Sequence, residues 1–197
     1  PDSQKLRVWK CLLRKPGAGR TLIVAGDMAD RVRGALLGLA AGDAAGYAHE
    51  SRRPDEGRWT QHTALALCLA ESLLACNGLD PRDQIERYIR WQRDGHLSAD
   101  GSPSTATPDV AKALANYQWR GQRMSGRHDP RDRSTAALPR VLSAAAWAAA
   151  EPVAAVHLAG ESARTTHQSP FVVDACRFLG AMLAGALRGA APAEIRH

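Results

Sequence analysis

The chain has 197 residues, a formal net charge of +6, 45% hydrophobic residues and 23% charged residues. This length suits one domain with a hydrophobic core, and the composition is typical of a soluble globular protein rather than a disordered or fibrous one. Phe and Tyr are rare, with two and three residues respectively. Their scarcity favours closely packed helices over a sheet, because strands are enriched in aromatic residues.

Basic residues are concentrated at the N-terminus, where residues 1–27 contain six basic and two acidic side chains and so carry a net +4. Such a segment is either a solvated extension or a non-specific contact for nucleic acid or membrane surfaces. We interpret it as an extension whose origin the sequence does not specify, with a short extended piece at residues 21–25. The predicted domain comprises residues 28–197.

The body of the chain is marked by helix signals. A first amphipathic helix is expected after Asp30, and Thr60 is a candidate N-cap for a leucine-rich helix that ends at Asn77-Gly78. A residue followed by proline is typical of further helix starts, and this pattern recurs at Asp80-Pro81, Thr107-Pro108, Glu151-Pro152 and Ser169-Pro170. Another helix is predicted around residues 142–150, with loops at 95–107 and 120–135. The prediction is an all-α domain.

Several functions are excluded on composition and spacing. No apolar run is judged long enough to cross a bilayer and no signal-peptide pattern is present, so we expect a cytoplasmic protein without membrane association. The tryptophans lack basic interleaving, which favours packing roles over specific nucleic-acid binding. The four cysteines show no CxxC spacing and are interpreted as buried reduced thiols: Cys11, Cys68, Cys76 and Cys176.

Four stretches together resemble the ADP-ribosylglycohydrolase family. They are an Arg-Gly-Ala-Leu-Leu-Gly helix leading to a Gly-Asp-Ala-x-Gly turn at 33–46, Trp59-Thr60-x-x-Thr63, a segment from Asp80 to Ser98, and residues 161–177 with Thr165-Thr166-His167. They occur in the family's order over residues 31–190. The resemblance implies an all-α domain that cleaves ADP-ribose from a protein side chain, commonly arginine, with two Mg²⁺ ions. Its partners would be ADP-ribose or an ADP-ribosylated protein.

The resemblance also assigns candidate site residues. Glu50 matches a family glutamate beside the scissile bond and is the candidate catalytic residue, while Thr60 matches a metal ligand. The candidate ligand contacts are Asp43, Arg140, Thr165 and His167. Three of these residues also have a structural interpretation: Glu50 as a solvated loop residue, Asp43 as a turn residue at a helix end, and Arg140 as cover for a helix face.

The chain departs from the family where the metals would bind. Gln61 and His62 stand at the positions of two adjacent aspartates, and an amide and an imidazole are poor Mg²⁺ ligands. Residues 104–107 lack the family's loop carboxylate, and residues 135–140 keep only Arg140 of its phosphate-side loop. The chain reaches His197 before the family's second acidic motif and its C-terminal helices. We therefore expect a degenerate magnesium site and no cofactor.

Three interpretations of function remain open at this stage. The first is a catalytically impaired domain that still binds ADP-ribose or ADP-ribosylated protein. The second is an active hydrolase with an altered metal site, or one shared with another chain. The third is a non-catalytic structural or interaction fragment that forms a homo-oligomer through the face where the C-terminal helices would pack.

Overall fold

The computed structural model describes residues 26–52 and 57–195, and within these ranges it forms eight α-helices, one 3-10 turn and no strand. The all-α prediction is confirmed. In chain order the helices are α1 (Gly26–Ser51), α2 (Gln61–Cys76), α3 (Pro81–Asp94), α4 (Pro108–Arg120), α5 (Val141–Trp147), α6 (Pro152–Ala163), α7 (Pro170–Arg188) and α8 (Pro192–Ile195), with the 3-10 turn at Leu138–Arg140.

Most helix starts predicted from the sequence agree with those in the structure. Thr60 caps α2 by accepting a hydrogen bond from the His62 backbone N–H, and Asp80 caps α3 by accepting from the N–H groups of Arg82 and Asp83. All four residue-proline pairs begin a helix, since proline at the first helical position loses no intrahelical hydrogen bond. Asn77 ends α2 in the left-handed conformation, with φ of 52°.

Helix α1 differs from its prediction in both extent and continuity. It begins at Gly26, before Asp30, and runs without a break through the Gly-Asp-Ala-x-Gly segment to Ser51. The expected turn there is wrong, because the small residues of this segment are compatible with a continuous helix. Asp43 consequently lies within a helix rather than at its end. Residues 1–25, including the predicted extended piece at 21–25, lie outside the described residues, and the 27/28 domain boundary stays a prediction.

Helix α2 lies at the centre of the domain. Most of its residues are buried, including Leu65, Leu69 and Leu73, and they pack against α3, α4 and α5. An apolar helix surrounded on all sides is expected of a core position. This packing fixes the direction of the N-terminus of α2, where Thr60 and His62 lie.

Helices α6 and α7 pack most closely. A Cβ atom added to Gly180 would lie 2.6 Å from the Ala159 Cβ, so glycine permits the contact. By length and composition alone, helix α7 is long and apolar enough to cross a membrane, so the expectation that no apolar run reaches this length is wrong for α7. Core helices of soluble proteins pass the same test. Phe171 and Phe178, both on α7, are exposed.

Two local predictions about burial are wrong. Cys68 and Cys176 are buried free thiols, but Cys76 is exposed because it lies in the last turn of α2; Cys11 lies outside the described residues. Among the tryptophans, Trp91 is 1% exposed in the core, whereas Trp119 is 78% exposed on α4.

Candidate functional site

Asp43 connects α1 to the N-terminus of α2. Its Oδ2 accepts hydrogen bonds from the backbone N–H of Thr60 at 2.8 Å, the backbone N–H of Thr63 at 3.0 Å and the Thr63 hydroxyl at 2.8 Å. Its Oδ1 accepts from the Thr60 hydroxyl at 2.7 Å. The carboxylate thus satisfies two N–H groups that a helix N-terminus would otherwise leave without partners.

These contacts keep Asp43 ionised. Burial by itself would raise the pKa of Asp43, but interactions with the His62 side chain, Thr60 and Thr63 outweigh burial and hold the pKa well below its usual range. An ionised carboxylate only accepts hydrogen bonds. Asp43 is therefore an internal anion with a side chain 6% exposed, and its oxygens are occupied by donors from α2.

Gln61 and Thr107 bond each other directly. The Thr107 backbone N–H donates to Gln61 Oε1 at 2.9 Å, and Gln61 Nε2 donates to the Thr107 hydroxyl at 3.1 Å. Gln61 is 7% exposed. Gln61 and residues 104–107 lie where the resemblance places carboxylate-bearing segments of the family. These two departures from the family pattern therefore contact each other, and the contact links the start of α2 to the start of α4.

His62 is the more accessible of the two substituted residues, with a side chain 40% exposed. Its Nδ1 lies 2.9 Å from the Thr60 hydroxyl oxygen and 3.6 Å from Asp43 Oδ1. Thr60, Asp43 and His62 therefore form one connected group at the N-terminus of α2, with the imidazole on its solvent side.

A second group lies in the interior around His167, which is fully buried. Arg140 donates to the Thr166 hydroxyl, which lies 2.8 Å from His167 Nδ1. On the other side of the ring, His167 Nε2 lies 3.1 Å from Ser134 Oγ. The loop that contains Gly126 can lie against His167 because glycine has no side chain. A Cβ atom at this position would lie 2.3 Å from the His167 backbone nitrogen.

The surroundings keep the His167 imidazole neutral. Burial, reinforced by the positive charge of Arg140, lowers the pKa of His167 to about 4, although Asp132 acts in the opposite direction. The predicted ligand contact by His167 stays a prediction. Both of its ring nitrogens already have protein partners, so a ligand would have to reach it through Ser134 or displace that contact.

Arg140 is 1% exposed and does not cover a helix face, so that structural interpretation is wrong. Its guanidinium carbon lies 5.4 Å from the centre of the Tyr88 ring, and Nη2 also donates to the Ala163 carbonyl at 3.4 Å. Its Nε and Nη1 atoms are buried without a hydrogen-bond partner. Among the residues described, its hydrogen-bond acceptors are the Ala163 carbonyl and the Thr166 hydroxyl, and neither is a carboxylate, which is unusual for a buried cation. Its ligand role stays a prediction.

Thr165 is also inside the protein. Its hydroxyl donates to the Ser162 carbonyl at 2.9 Å and accepts from Gln84 Nε2 at 3.1 Å. Gln84 additionally donates to the Tyr88 hydroxyl at 2.8 Å. These contacts connect α3 to the end of α6. The predicted ligand contact of Thr165 is untested, but its only proton already has a protein acceptor.

Glu50 lies in the last turn of α1 with an exposed side chain, and residues 53–56 beyond it are outside the described ranges. Among the residues described, no hydrogen bond joins Glu50 to the Asp43 group, and none joins that group to the one around His167. The structure thus arranges the predicted site residues as two groups with Glu50 separate from both, and the catalytic role of Glu50 stays a prediction.

The polar groups at the N-terminus of α2 are hydrogen-bonded within the protein, and the degenerate magnesium site stays a prediction. Mg²⁺ prefers carboxylate and water oxygens, but the Asp43 oxygens are occupied by four donors, and the Gln61 amide is committed to Thr107. The Thr60 hydroxyl is bound to Asp43. In the described part of the chain, no group of three or more His, Cys, Asp or Glu side chains has metal-binding geometry.

A pocket of about 240 Å³ opens between α4 and the loop at residues 125–132. The sequence pattern predicts only a loop at residues 120–135 and gives no sign of a pocket there beyond the density of charged residues in that stretch. The lining combines cationic and anionic side chains with Thr166, next to the His167 group: Asp109, Lys112, Ala113, Asn116, Ser125, Arg127, Asp129, Arg131, Asp132 and Thr166.

The structure is thus an all-α domain in which an aspartate and two threonines lie around the start of one core helix. The model of the ADP-ribosylglycohydrolase family matches residues 25–197, and the chain belongs to that family. It is similar to the ADP-ribosylarginine hydrolase Tri1 of Serratia proteamaculans (strain 568), 29% identical over 178 residues, with 82% of this chain and 49% of the relative covered. The Tri1 protein of Pseudomonas putida (strain GB-1) is also 29% identical, over 177 residues, with 82% and 48% covered. The chain thus spans about half the length of these relatives.

Proposed function

We propose that this chain binds ADP-ribose, free or attached to protein arginine, without magnesium, and that it hydrolyses the linkage poorly or not at all. The family membership supports ADP-ribosylated material as the ligand class, and the names of the two relatives favour the arginine linkage. Because the chain spans only part of those relatives, their activity does not transfer to it directly.

The observation that carries the proposal is the pair of hydrogen bonds between Gln61 and Thr107. If the metal ligands had been lost without any replacement, the polar side chains at their positions would be exposed to solvent. Here the substituted side chain is buried and paired at 2.9 and 3.1 Å. The pair connects two helix starts directly, which is a task that a shared metal ion performs in metal-dependent sites. The pair favours an arrangement of α2 and α4 that does not depend on a metal.

Calorimetry with ADP-ribose tests the binding. The complete chain is titrated once with EDTA and once with MgCl₂, and the same affinity is expected in both. Binding that requires Mg²⁺ contradicts the proposal and favours an active or shared metal site. The absence of any binding favours an interaction or structural role instead. Asp174→Asn, an exposed residue of α7, serves as a control variant that should bind like the unmodified chain.

Hydrolysis is tested separately with a peptide that carries ADP-ribose on arginine. Release of ADP-ribose is followed by chromatography, with the peptide alone as the blank. We expect release at the rate of the blank with or without Mg²⁺. Release that is clearly faster and scales with protein concentration would show a working hydrolase.

A further inference from the structure

Positive charge is concentrated in one segment of the described structure. Residues 109–133 contain six Lys or Arg and three Asp side chains, whereas the other described residues contain 12 basic and 14 acidic ones. The segment comprises most of α4 and the loop that follows it. All six basic side chains are exposed: Lys112, Arg120, Arg123, Arg127, Arg131 and Arg133. A basic surface on an otherwise slightly acidic domain is the electrostatic signature of a polyanionic partner.

The acidic residues of this segment offset only part of that charge. Asp129 is shared by two arginines, since its Oδ2 lies 3.0 Å from Arg127 Nη2 and its Oδ1 lies 3.6 Å from Arg131 Nε. The side chains of Arg127 and Arg131 are 64% and 92% exposed. One carboxylate therefore serves two cations, and both guanidinium groups stay accessible to a further anion.

Exposed aromatic rings contact both ends of the loop at residues 121–133. Trp119, in the last turn of α4, is 78% exposed, and the Arg120 guanidinium carbon lies 4.7 Å from the centre of its ring. Phe171 is 53% exposed, with the Arg133 guanidinium carbon 4.3 Å from the ring centre. An exposed ring beside an arginine offers a nucleotide both a stacking surface for the base and a positive charge for the phosphate.

Trp119 belongs to the same helix face as the pocket between α4 and the loop. Lys112 and Asn116 line that pocket. Residues four and seven positions apart lie on one face of a helix, and Trp119 is seven positions after Lys112. Trp119 therefore continues the pocket-lining face toward the end of α4, so the ring, the pocket and the basic side chains form one surface.

Hydrogen bonds to the segment before α7 hold the loop in position. The Gln168 side-chain amide donates to the carbonyls of Met124 and Gly126 at 2.9 and 2.8 Å. The Ser169 hydroxyl donates to the Asp132 carbonyl at 3.0 Å. A loop that is fixed before a partner arrives loses less conformational entropy on binding.

We propose that α4 and this loop bind single-stranded nucleic acid without sequence specificity, with a base stacked on Trp119 and backbone phosphates on Arg120 and Arg123. In a duplex the bases already stack on one another, so the exposed indole favours a single strand. An acidic peptide would pair with the arginines but would leave the indole unused. The carboxylates in the pocket disfavour an anionic membrane surface. This activity is independent of ADP-ribose binding.

Fluorescence anisotropy of a labelled single-stranded oligothymidine tests the stacking on the complete chain. Trp119→Ala should bind it about 5- to 100-fold more weakly, the range for one lost base–aromatic stack. Trp119→Phe should restore part of the affinity, because a smaller ring still stacks. Neither substitution should change the affinity for a duplex, which presents no free base face.

Salt titrations test the phosphate contacts. The slope of log affinity against log salt concentration should become shallower by about 0.7 in Arg123→Gln, the contribution of one phosphate contact to a single strand. The slope should be unchanged in Trp119→Ala. Arg188→Gln removes the same charge from an exposed position at the end of α7 and is the matched control, which should keep the slope and the affinity of the unmodified chain.

Several outcomes would overturn the proposal. They are an unmodified chain that does not bind the oligothymidine, undiminished binding by Trp119→Ala, and equal weakening by Arg123→Gln and Arg188→Gln. Binding to phosphatidylserine vesicles but not to the oligothymidine would identify a membrane surface instead. Trp119→Ala should bind free ADP-ribose like the unmodified chain. If it loses affinity for both ligands, Trp119 belongs to the ADP-ribose site, which overturns this proposal and leaves the proposed function standing.

Discussion

Gln61 and Thr107 are joined by two hydrogen bonds, from the Thr107 backbone N–H to Gln61 Oε1 at 2.9 Å and from Gln61 Nε2 to the Thr107 hydroxyl at 3.1 Å. The residues are 46 positions apart in sequence, and Thr107 has no side-chain cap hydrogen bond of its own to α4. The glutamine thus fixes the start of α4 from the start of α2. Two positions where the family pattern is broken have become one structural link.

Loss of that link should lower stability. We expect Gln61→Ala to reduce the free energy of unfolding by about 1–3 kcal/mol, because the half-buried Thr107 N–H loses its acceptor. Thr107→Ser keeps both hydrogen bonds and should cost less than about 1 kcal/mol. Urea denaturation of the two variants measures the difference. Equal stability of Gln61→Ala and the unmodified chain would show that the pair contributes nothing.

Asp43→Asn should be the more damaging substitution at this site. Asparagine offers one acceptor oxygen where the carboxylate receives four hydrogen bonds, and its NH₂ group would face other donors. A loss of about 2–4 kcal/mol is expected. Asp174→Asn, which breaks an exposed pair with Arg177, is the control and should cost less than about 1 kcal/mol.

The pH dependence of Asp43 follows from the direction of its pKa shift. Its folded-state pKa is lowered, so the carboxylate stabilises the fold above the unfolded-state pKa of 3.8, and this contribution disappears as the pH falls below that value. Asp43→Asn should therefore show a shallower loss of stability below pH 3.8 than the unmodified chain. Parallel acid-unfolding curves for the two proteins would contradict the assigned role.

His167 should make the protein less stable at moderately acidic pH. Its pKa is 6.5 when unfolded and about 4 in the folded state, so the unfolded chain binds the extra proton first as the pH falls through 6.5. Stability contributed above pH 6.5 is lost progressively down to about pH 4. From pH 7 to pH 5 the loss from this residue is about 2 kcal/mol.

A variant that cannot titrate isolates this effect. His167→Gln should be less stable at pH 7, because the Thr166 and Ser134 contacts are altered, but its unfolding free energy should change less between pH 7 and pH 5. Urea denaturation at both pH values gives the comparison. His128, exposed in the loop after Gly126, provides the matched control, since His128→Gln should keep the steeper dependence.

The helices could be predicted from the sequence, whereas most of the site contacts could not, and the reason is physical. A cap such as Asp80 acts on N–H groups two and three residues away, so its signal is contained in a short stretch of sequence. The partners of Asp43 are 17 and 20 residues away, and those of Gln61 are 46 away. These contacts depend on how α1, α2 and α4 pack together. Local pattern carries no information about that packing.

Arg140 is fully buried, but two of its guanidinium nitrogen atoms have no hydrogen-bond partner. Substituting it can therefore show whether the residue serves ligand binding or the stability of the fold. Replacing a buried ion pair by well-packed apolar side chains often leaves stability unchanged or improves it, and the acceptors of Arg140 include no carboxylate that its removal would leave unpaired. Arg140→Met should therefore keep the free energy of unfolding within about 1 kcal/mol of the unmodified chain, or raise it by up to about 3 kcal/mol. The cost to the Thr166 hydroxyl is limited, because it keeps its hydrogen bond with His167 Nδ1.

The same variant tests the predicted ligand role of Arg140. If the guanidinium stabilises a bound nucleotide through its positive charge, Arg140→Met should bind ADP-ribose more weakly while unfolding at the same or a higher urea concentration. Calorimetry and urea denaturation on one preparation provide both values. Unchanged affinity would assign Arg140 to packing against Tyr88 alone. A stability loss above about 3 kcal/mol would instead show that its contacts to Thr166 and Ala163 outweigh the cost of burying its charge.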